Sequence, residues 1–246
     1  MSAAMETEQG HVSIAPVKRP HRWGLGAFVL VELVYVLATV AFVLLFGGDG
    51  TLSVWLIVMV VTLPAVLAAG LAMFITKLRG NGPRADLRLH WTWRGLGFGL
   101  LFGVGGLFVT LPASMLYISI VGPDASSAAA DVFGSVRATW LWAVVVFLIV
   151  AFVVPACEEI VYRGLLWGAL EWRWGRWVTL VVTTVVFALA HLEFTRTPLL
   201  LVVALPIALA RLYSDSLLAS IVAHQVNNLL PGVVVMLGLV GMTPLA

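Results

Sequence analysis

Charge is what this sequence has least of. Asp, Glu, Lys and Arg make up 11% of its 246 residues, against about 25% in soluble globular chains. With a mean hydropathy of +1.06, a water-soluble fold is excluded. The formal net charge of +2 is too small to hold a polyanion, and the basic residues are spread over loops, so nucleic acid is not an expected partner. Cysteine is nearly absent: Cys157 stands alone, which rules out an internal disulfide framework. Internal repeats, a glycine-rich phosphate loop, a dinucleotide fingerprint and the zinc-helix pattern HExxH are all missing. The first apolar run begins only after Arg22, is too long for a signal-peptide core and lacks a small-residue cleavage site. It is expected to stay as a membrane span.

What is present is a series of long apolar runs. A helix needs about 20 apolar residues to cross the hydrocarbon core. Runs of that kind cover residues 23–46, 52–75, 95–121 and 140–169. Shorter ones cover 177–191, 198–212 and 217–230, and a last one runs from Pro231 to the end. Seven or eight spans are expected, depending on whether Pro231 starts the eighth or kinks the seventh. Unpaired backbone is so costly in lipid that the fold class is an all-α transmembrane bundle. Residues 1–22 form a tail and residues 23–246 one membrane domain.

Lys18, Arg19 and Arg22 precede the first run, and Lys77, Arg79, Arg84, Arg88 and Arg94 follow the second. The loops at 47–51 and 122–139 carry Asp49, Asp124 and Asp131 against one Arg137. Positive-inside counting puts the N-terminus in the cytoplasm of a multi-pass cell-membrane protein. Arg173 and Arg176 then fall in a cytoplasmic turn, and residues 86–93, which mix Arg, His and Trp, lie at the interface. Gly95, Gly99 and Gly103 recur every four residues, a stripe that reads as close helix packing rather than chemistry. The Ser/Ala-rich residues 125–130 read as a loop.

Three places in the second half break the apolar pattern: Glu158-Glu159-Ile160-Val161-Tyr162-Arg163, Phe187 to His191, and His224-Gln225-Val226-Asn227-Asn228. Ionisable groups cost about 2.5–3.5 kcal/mol each at the centre of a span, so they persist where they pair or work. On a regular helix Glu159 and Arg163 are ~40° apart and can neutralise one another, whereas Glu158 is ~140° from Arg163. Glu158 is the freer carboxylate and the candidate general base. The midpoint between Glu158 and His191 falls near Trp174 and Gly175, inside a polar, aromatic-flanked stretch that begins at Glu171. An antiparallel hairpin turning there brings the two side chains to one depth. It must protrude, because ~16 residues of helix span ~24 Å. His224 and Asn228 share a helix face, with Asn227 close to it, and they offer donors to a developing oxyanion.

Each motif alone also has a structural reading: an ion pair for Glu159 with Arg163, a helix cap for His191, a helix link for His224 with Asn228. Their coincidence in one half of the chain favours one site. Cys157 as a nucleophile is the weaker idea, since its neighbours are apolar. A metal is not favoured, because Arg163 would stand near the cation. If one is bound, Glu158, His191 and His224 are the ligands, with zinc suited to those donors. His11, His21 and His90 are isolated; Glu193, Arg196, Arg211 and Asp215 read as boundary charges.

The three motifs, in this order, resemble the CAAX-protease and bacteriocin-processing (Abi) family of intramembrane proteases, which includes the type II CAAX prenyl endopeptidases. Its pattern is EExxxR, FxxxH and HxxxN or HxxxD, and the match covers about residues 145–230. The resemblance implies helices around a conical cavity and an endopeptidase acting on a peptide or protein substrate, one that can be membrane-anchored. It implies Glu158 and His191 as activators of a water, His224 and Asn228 as an oxyanion site, and Glu159 and Arg163 as support. It selects Asn228 over Asn227. The family is traditionally called a metalloprotease family, although the glutamate–water scheme needs no metal. Two other readings compete: a non-catalytic immunity or partner-binding membrane protein, and a proton-coupled transporter. The transporter calls for inverted repeats and broken spans in both halves, whereas the polar residues here sit in one.

Overall fold

The computed structural model describes residues 21–47, 53–125, 132–134 and 136–243. His11, Lys18, Arg19, Asp49, Asp131 and most of the Ser/Ala-rich loop lie outside the described residues. Among the described residues these helices carry the fold: α1 (Leu25–Phe46), α2 (Val54–Arg79), the single turn α3 (Pro83–Asp86), α4 (Trp93–Val121), α5 (Trp140–Ala190), α6 (Thr197–Ser214) and α7 (Leu217–Leu239). A short 3-10 turn, Gly122–Ala125, follows α4. All but α3 are long and apolar enough to cross a membrane, six among the described residues. Large apolar side chains face outward along them, among them Leu44, Phe108, Ile120 and Leu141, each more than 70% exposed. An apolar surface of that extent needs lipid around it. The chain is a multi-pass membrane protein.

The expected seven or eight runs become six helices for two reasons. Pro231 lies inside α7, which continues to Leu239, so no separate helix begins there. The runs at 140–169 and 177–191 are two limbs of α5, which contains a break at Gly175, where φ is 73° and ψ 169°. That left-handed backbone suits glycine, which has no Cβ to clash. Tyr162 and Phe187 lie 13 and 12 residues either side of Gly175, yet their rings are 5.3 Å apart. On a straight helix they would be ~37 Å apart, so the limbs run antiparallel, as the spacing of Glu158 and His191 predicts.

The first limb of α5 is not a regular helix. Residues Ile149–Val153 and Ile160–Leu166 are π-helical, and the α-helical Val154–Glu159 sits between them. Wide turns of this type add a residue per turn, re-aim side chains and gather at functional sites. The two acids of the first motif end the α-helical piece and Arg163 lies in the second wide turn.

α7 is the central staff. Its small residues meet the glycine stripe of α4: a Cβ at Gly99 would stand 2.6 Å from the Val222 side chain, and one at Gly103 2.8 Å from Val226. The packing reading of that stripe holds, and the row continues to Gly106, which faces Pro206 of α6. A core of Ala68, Ala72, Cys157, Tyr162, Leu165, Phe187, Ala204 and Ile221 joins α2, α5, α6 and α7.

Charges gather at one end of the bundle. Arg88 pairs with Glu171 at 2.9 Å and with Asp215, Trp23 Nε1 donates to Asp86 at 3.2 Å, and Arg176 donates to the Leu212 carbonyl. At the opposite end Ala138 N–H donates to the Leu239 carbonyl at 2.9 Å, next to Arg137. Arg211, in the last turn of α6 and paired with Asp215 at 3.3 Å, is a buried charge at the end that holds Arg88. It is 2% exposed, stacks 5.1 Å over Trp167 and donates from Nε to the Arg163 carbonyl at 3.2 Å.

Candidate functional site

The site begins with a buried pair. Glu159 and Arg163 are both fully buried, and Arg163 Nη1 donates to Glu159 Oε1 at 3.0 Å. The guanidinium also lies 4.4 Å over the Phe187 ring, which brings the second limb of α5 onto the first. Glu159 Oε1 has another partner, His224 Nδ1, at 2.9 Å. The carboxylate therefore fixes the imidazole of α7, holds the proton on Nδ1 and turns Nε2 toward the interior. Facing it is Glu158, whose Oε2 lies 3.7 Å from His224 Nε2, with its side chain 27% exposed. That gap is too long for a direct hydrogen bond and leaves the two groups facing one another.

His191 ends the second limb. Its Nδ1 lies 2.9 Å from the Phe187 carbonyl one turn back, so the carbonyl accepts the Nδ1 proton. Leu192, with φ 57°, stops the helix immediately after. Phe187 bridges the two histidines, its ring 4.8 Å from His191 and 5.6 Å from His224. Among the described residues, no ion pair joins His191 to either glutamate.

The two asparagines part company. Asn227, 6% exposed, turns to α4 and accepts from Thr110 Oγ1 at 3.3 Å. Asn228 turns to α5, where Nδ2 donates to the Val150 carbonyl at 3.1 Å. Gln225 Nε2 donates to the Phe152 carbonyl at 3.1 Å. Both carbonyls belong to the first π-helical turn, so amides of α7 supply donors to backbone that the wide turn leaves open. Sequence reasoning gave Gln225 no role; its only signal was an amide inside the third polar motif.

Glu32 was also missed. It stands in α1, close enough to Tyr162 and Glu158 of α5 to interact electrostatically with both. With Phe28, Tyr162, Val186, Leu189 and Ala190 it lines a cavity of about 300 Å³ between α1 and the second limb of α5. The signal was there: Glu32 is the sole charged residue of the first apolar run, and an ionisable group inside a span is a functional candidate by default.

Cys157 is buried among apolar core residues, which suits packing. The set named for a metal is not assembled: among the described residues, no three His, Cys, Asp or Glu side chains are grouped to hold an ion. The carboxylate nearest His224 Nδ1 is already taken by Arg163.

Comparison with known proteins yields one match and two blanks. No curated protein and no solved structure matches the chain. Residues 140–230 match the family model described as Type II CAAX prenyl endopeptidase Rce1-like, and residues 1–139 and 231–246 lie outside it. The matched stretch runs from the first residue of α5 into α7 and contains all three polar motifs. Over residues 140–230, this chain is similar to the Type II CAAX prenyl endopeptidase Rce1-like family.

Proposed function

We propose that this protein is an intramembrane endopeptidase that hydrolyses a peptide bond with a water activated by Glu158 and His191. The observation that carries the reading is the clamp on His224: Glu159 holds its Nδ1 at 2.9 Å while Nε2 faces Glu158 at 3.7 Å. An imidazole aimed by one carboxylate at a second, freer one is suited to chemistry between them. The family match favours peptide hydrolysis as that chemistry.

In this scheme Glu158 accepts a proton from the water, assisted by the free Nε2 of His191, and the oxygen attacks the substrate carbonyl carbon. The carbonyl oxygen takes the negative charge and receives hydrogen bonds from a protonated His224 Nε2 and from the Asn228 amide proton not given to Val150. As the carbon–nitrogen bond breaks, Glu158 returns its proton to the leaving amine. Arg163 keeps Glu159 ionised and in place. The reaction is written without a metal. The cavity beside Glu32 and Tyr162 is the approach for the peptide, and the substrate is a peptide or membrane-anchored protein. Both limbs of α5 enter the membrane, and the basic end of the bundle faces the cytoplasm.

Reconstituted wild type and Glu158→Gln, compared on a peptide library, test this directly. Cleavage by wild type and a loss of about 10²-fold or more in the variant is the expected result. Equal activity in both, or cleavage by neither alongside an intact cellular phenotype in Glu158→Gln, would favour a non-catalytic immunity or partner-binding protein instead.

A further inference from the structure

At the basic end of the bundle a second cavity, of about 410 Å³, shares no lining residue with the one beside Glu32. Arg84, Arg88, His90, Thr92, Arg94, Asp215 and Ser216 are among its lining residues. We propose that it binds the phosphate of an anionic phospholipid headgroup.

The charges in the cavity are not balanced. Arg88 is neutralised by Glu171 and Asp215. Among the described residues, neither Arg84 nor Arg94 has a carboxylate partner; Arg94 reaches the Tyr213 carbonyl at 3.4 Å and lies 5.5 Å from the Phe98 ring. Two helices also start at this cavity. Thr92 and Ser216 are the N-caps of α4 and α7, so the positive ends of two long helix dipoles point into it. Thr92 caps its helix, its Oγ1 accepting from Gly95 N–H at 2.9 Å. Ser216 does not. It is 2% exposed, and its hydroxyl has no hydrogen-bond partner. A buried hydroxyl left idle between two helix starts and two unpaired guanidiniums is complementary to an anionic oxygen.

The position selects the lipid as source. Trp91 and Trp93, 63% and 77% exposed, flank the cavity, and exposed indoles of this kind mark the headgroup layer. The cavity opens where spans α4, α6 and α7 begin or end. Basic pockets between spans on the positive side of a membrane protein hold acidic headgroups.

The test uses the full chain in an uncharged detergent, titrated with phosphatidylglycerol or phosphatidylcholine of matched acyl chains and read by native mass spectrometry. Wild type is expected to retain phosphatidylglycerol in preference, and Arg84→Gln/Arg94→Gln to weaken it by about thirtyfold. Phosphatidylcholine retention should not change. Arg137→Gln, at the opposite end, should behave as wild type. Both arginines replaced are exposed, so folding is expected to persist; the single Arg84→Gln gives the same reading if the double variant fails to fold. Equal retention of the two lipids, or undiminished phosphatidylglycerol on the variants, overturns the proposal. So does inorganic phosphate that displaces the lipid at matched concentration, since the site would then belong to a soluble anion.

Discussion

Glu158 and Glu159 are neighbours in the chain with opposite surroundings. The side chain of Glu159 is fully buried and shared by Arg163 and His224, while that of Glu158 is 27% exposed and 3.7 Å from its nearest basic nitrogen. Their removal should therefore have different consequences. Glu159→Ala strands a buried guanidinium and should cost about 3–5 kcal/mol of stability. Glu158→Ala breaks no short hydrogen bond and should shift stability by about 0.5 kcal/mol or less. Unfolding of both variants in mixed micelles by a denaturing detergent measures the difference. Equal losses would place the two carboxylates in equivalent environments, contrary to the geometry. The i,i+4 relation of Glu159 and Arg163 was legible in the sequence, as was the greater freedom of Glu158. That Glu159 also holds His224 was not, because a contact between residues 65 positions apart depends on how α7 is rotated against α5.

Among the elements, α4 and α7 make the most demanding fit. Gly97 and Gly105 of α4 have nothing within 4 Å of an added Cβ, whereas at Gly99 the carbonyl of Ala219 would lie 2.9 Å away and the Val222 side chain closer still. Gly99→Ala should destabilise the protein by about 1–3 kcal/mol through overpacking. Gly97→Ala should be neutral or stabilising by up to about 1 kcal/mol, from helix propensity alone. Thermal denaturation of the two single variants distinguishes them, and similar shifts would mean that α4 is rotated from the face described. The periodic glycines were enough to predict a packing face. They did not name α7 as its partner, since any helix with small residues would serve. The hairpin in α5 was likewise readable from the spacing of Glu158 and His191 about Gly175, but the π-helical turns were not. Residues 149–153 and 160–166 carry an ordinary apolar helical pattern, and their widening answers to packing against α7 and to the amides of Gln225 and Asn228.

Outside the buried site, the charged residues of the molecule gather toward the ends of the bundle. The end with Arg22, Arg79, Arg84, Arg88, Arg94 and Arg176 is knitted by ion pairs and backbone bonds; the other holds the junction of Ala138 with Leu239. If the basic end faces the cytoplasm, a cysteine placed at Arg84 or Arg173 should be shielded from a membrane-impermeant maleimide in intact cells and labelled in inverted vesicles. One placed at Arg137 should show the reverse. Cys157 is buried and should give little background. Labelling of the Arg84 and Arg137 positions from the same side would contradict the alternation of spans.

Composition alone determined that this protein lives in a bilayer and is helical, because so few charges and such long apolar runs permit nothing else where backbone groups must satisfy one another. Spacing went further, marking the reversal near Gly175 and the pairing of Glu159 with Arg163, since both depend on distances measured along one stretch of chain. The tertiary structure decided the rest: that His224 is held by one glutamate and faces the other, that Glu32 reaches Tyr162, that Arg211 is buried on Trp167, and that two helix starts meet an idle serine. Each of these joins residues far apart in sequence, and a hydrophobic pattern records which face of a helix is buried but not which side chains wait on the other side.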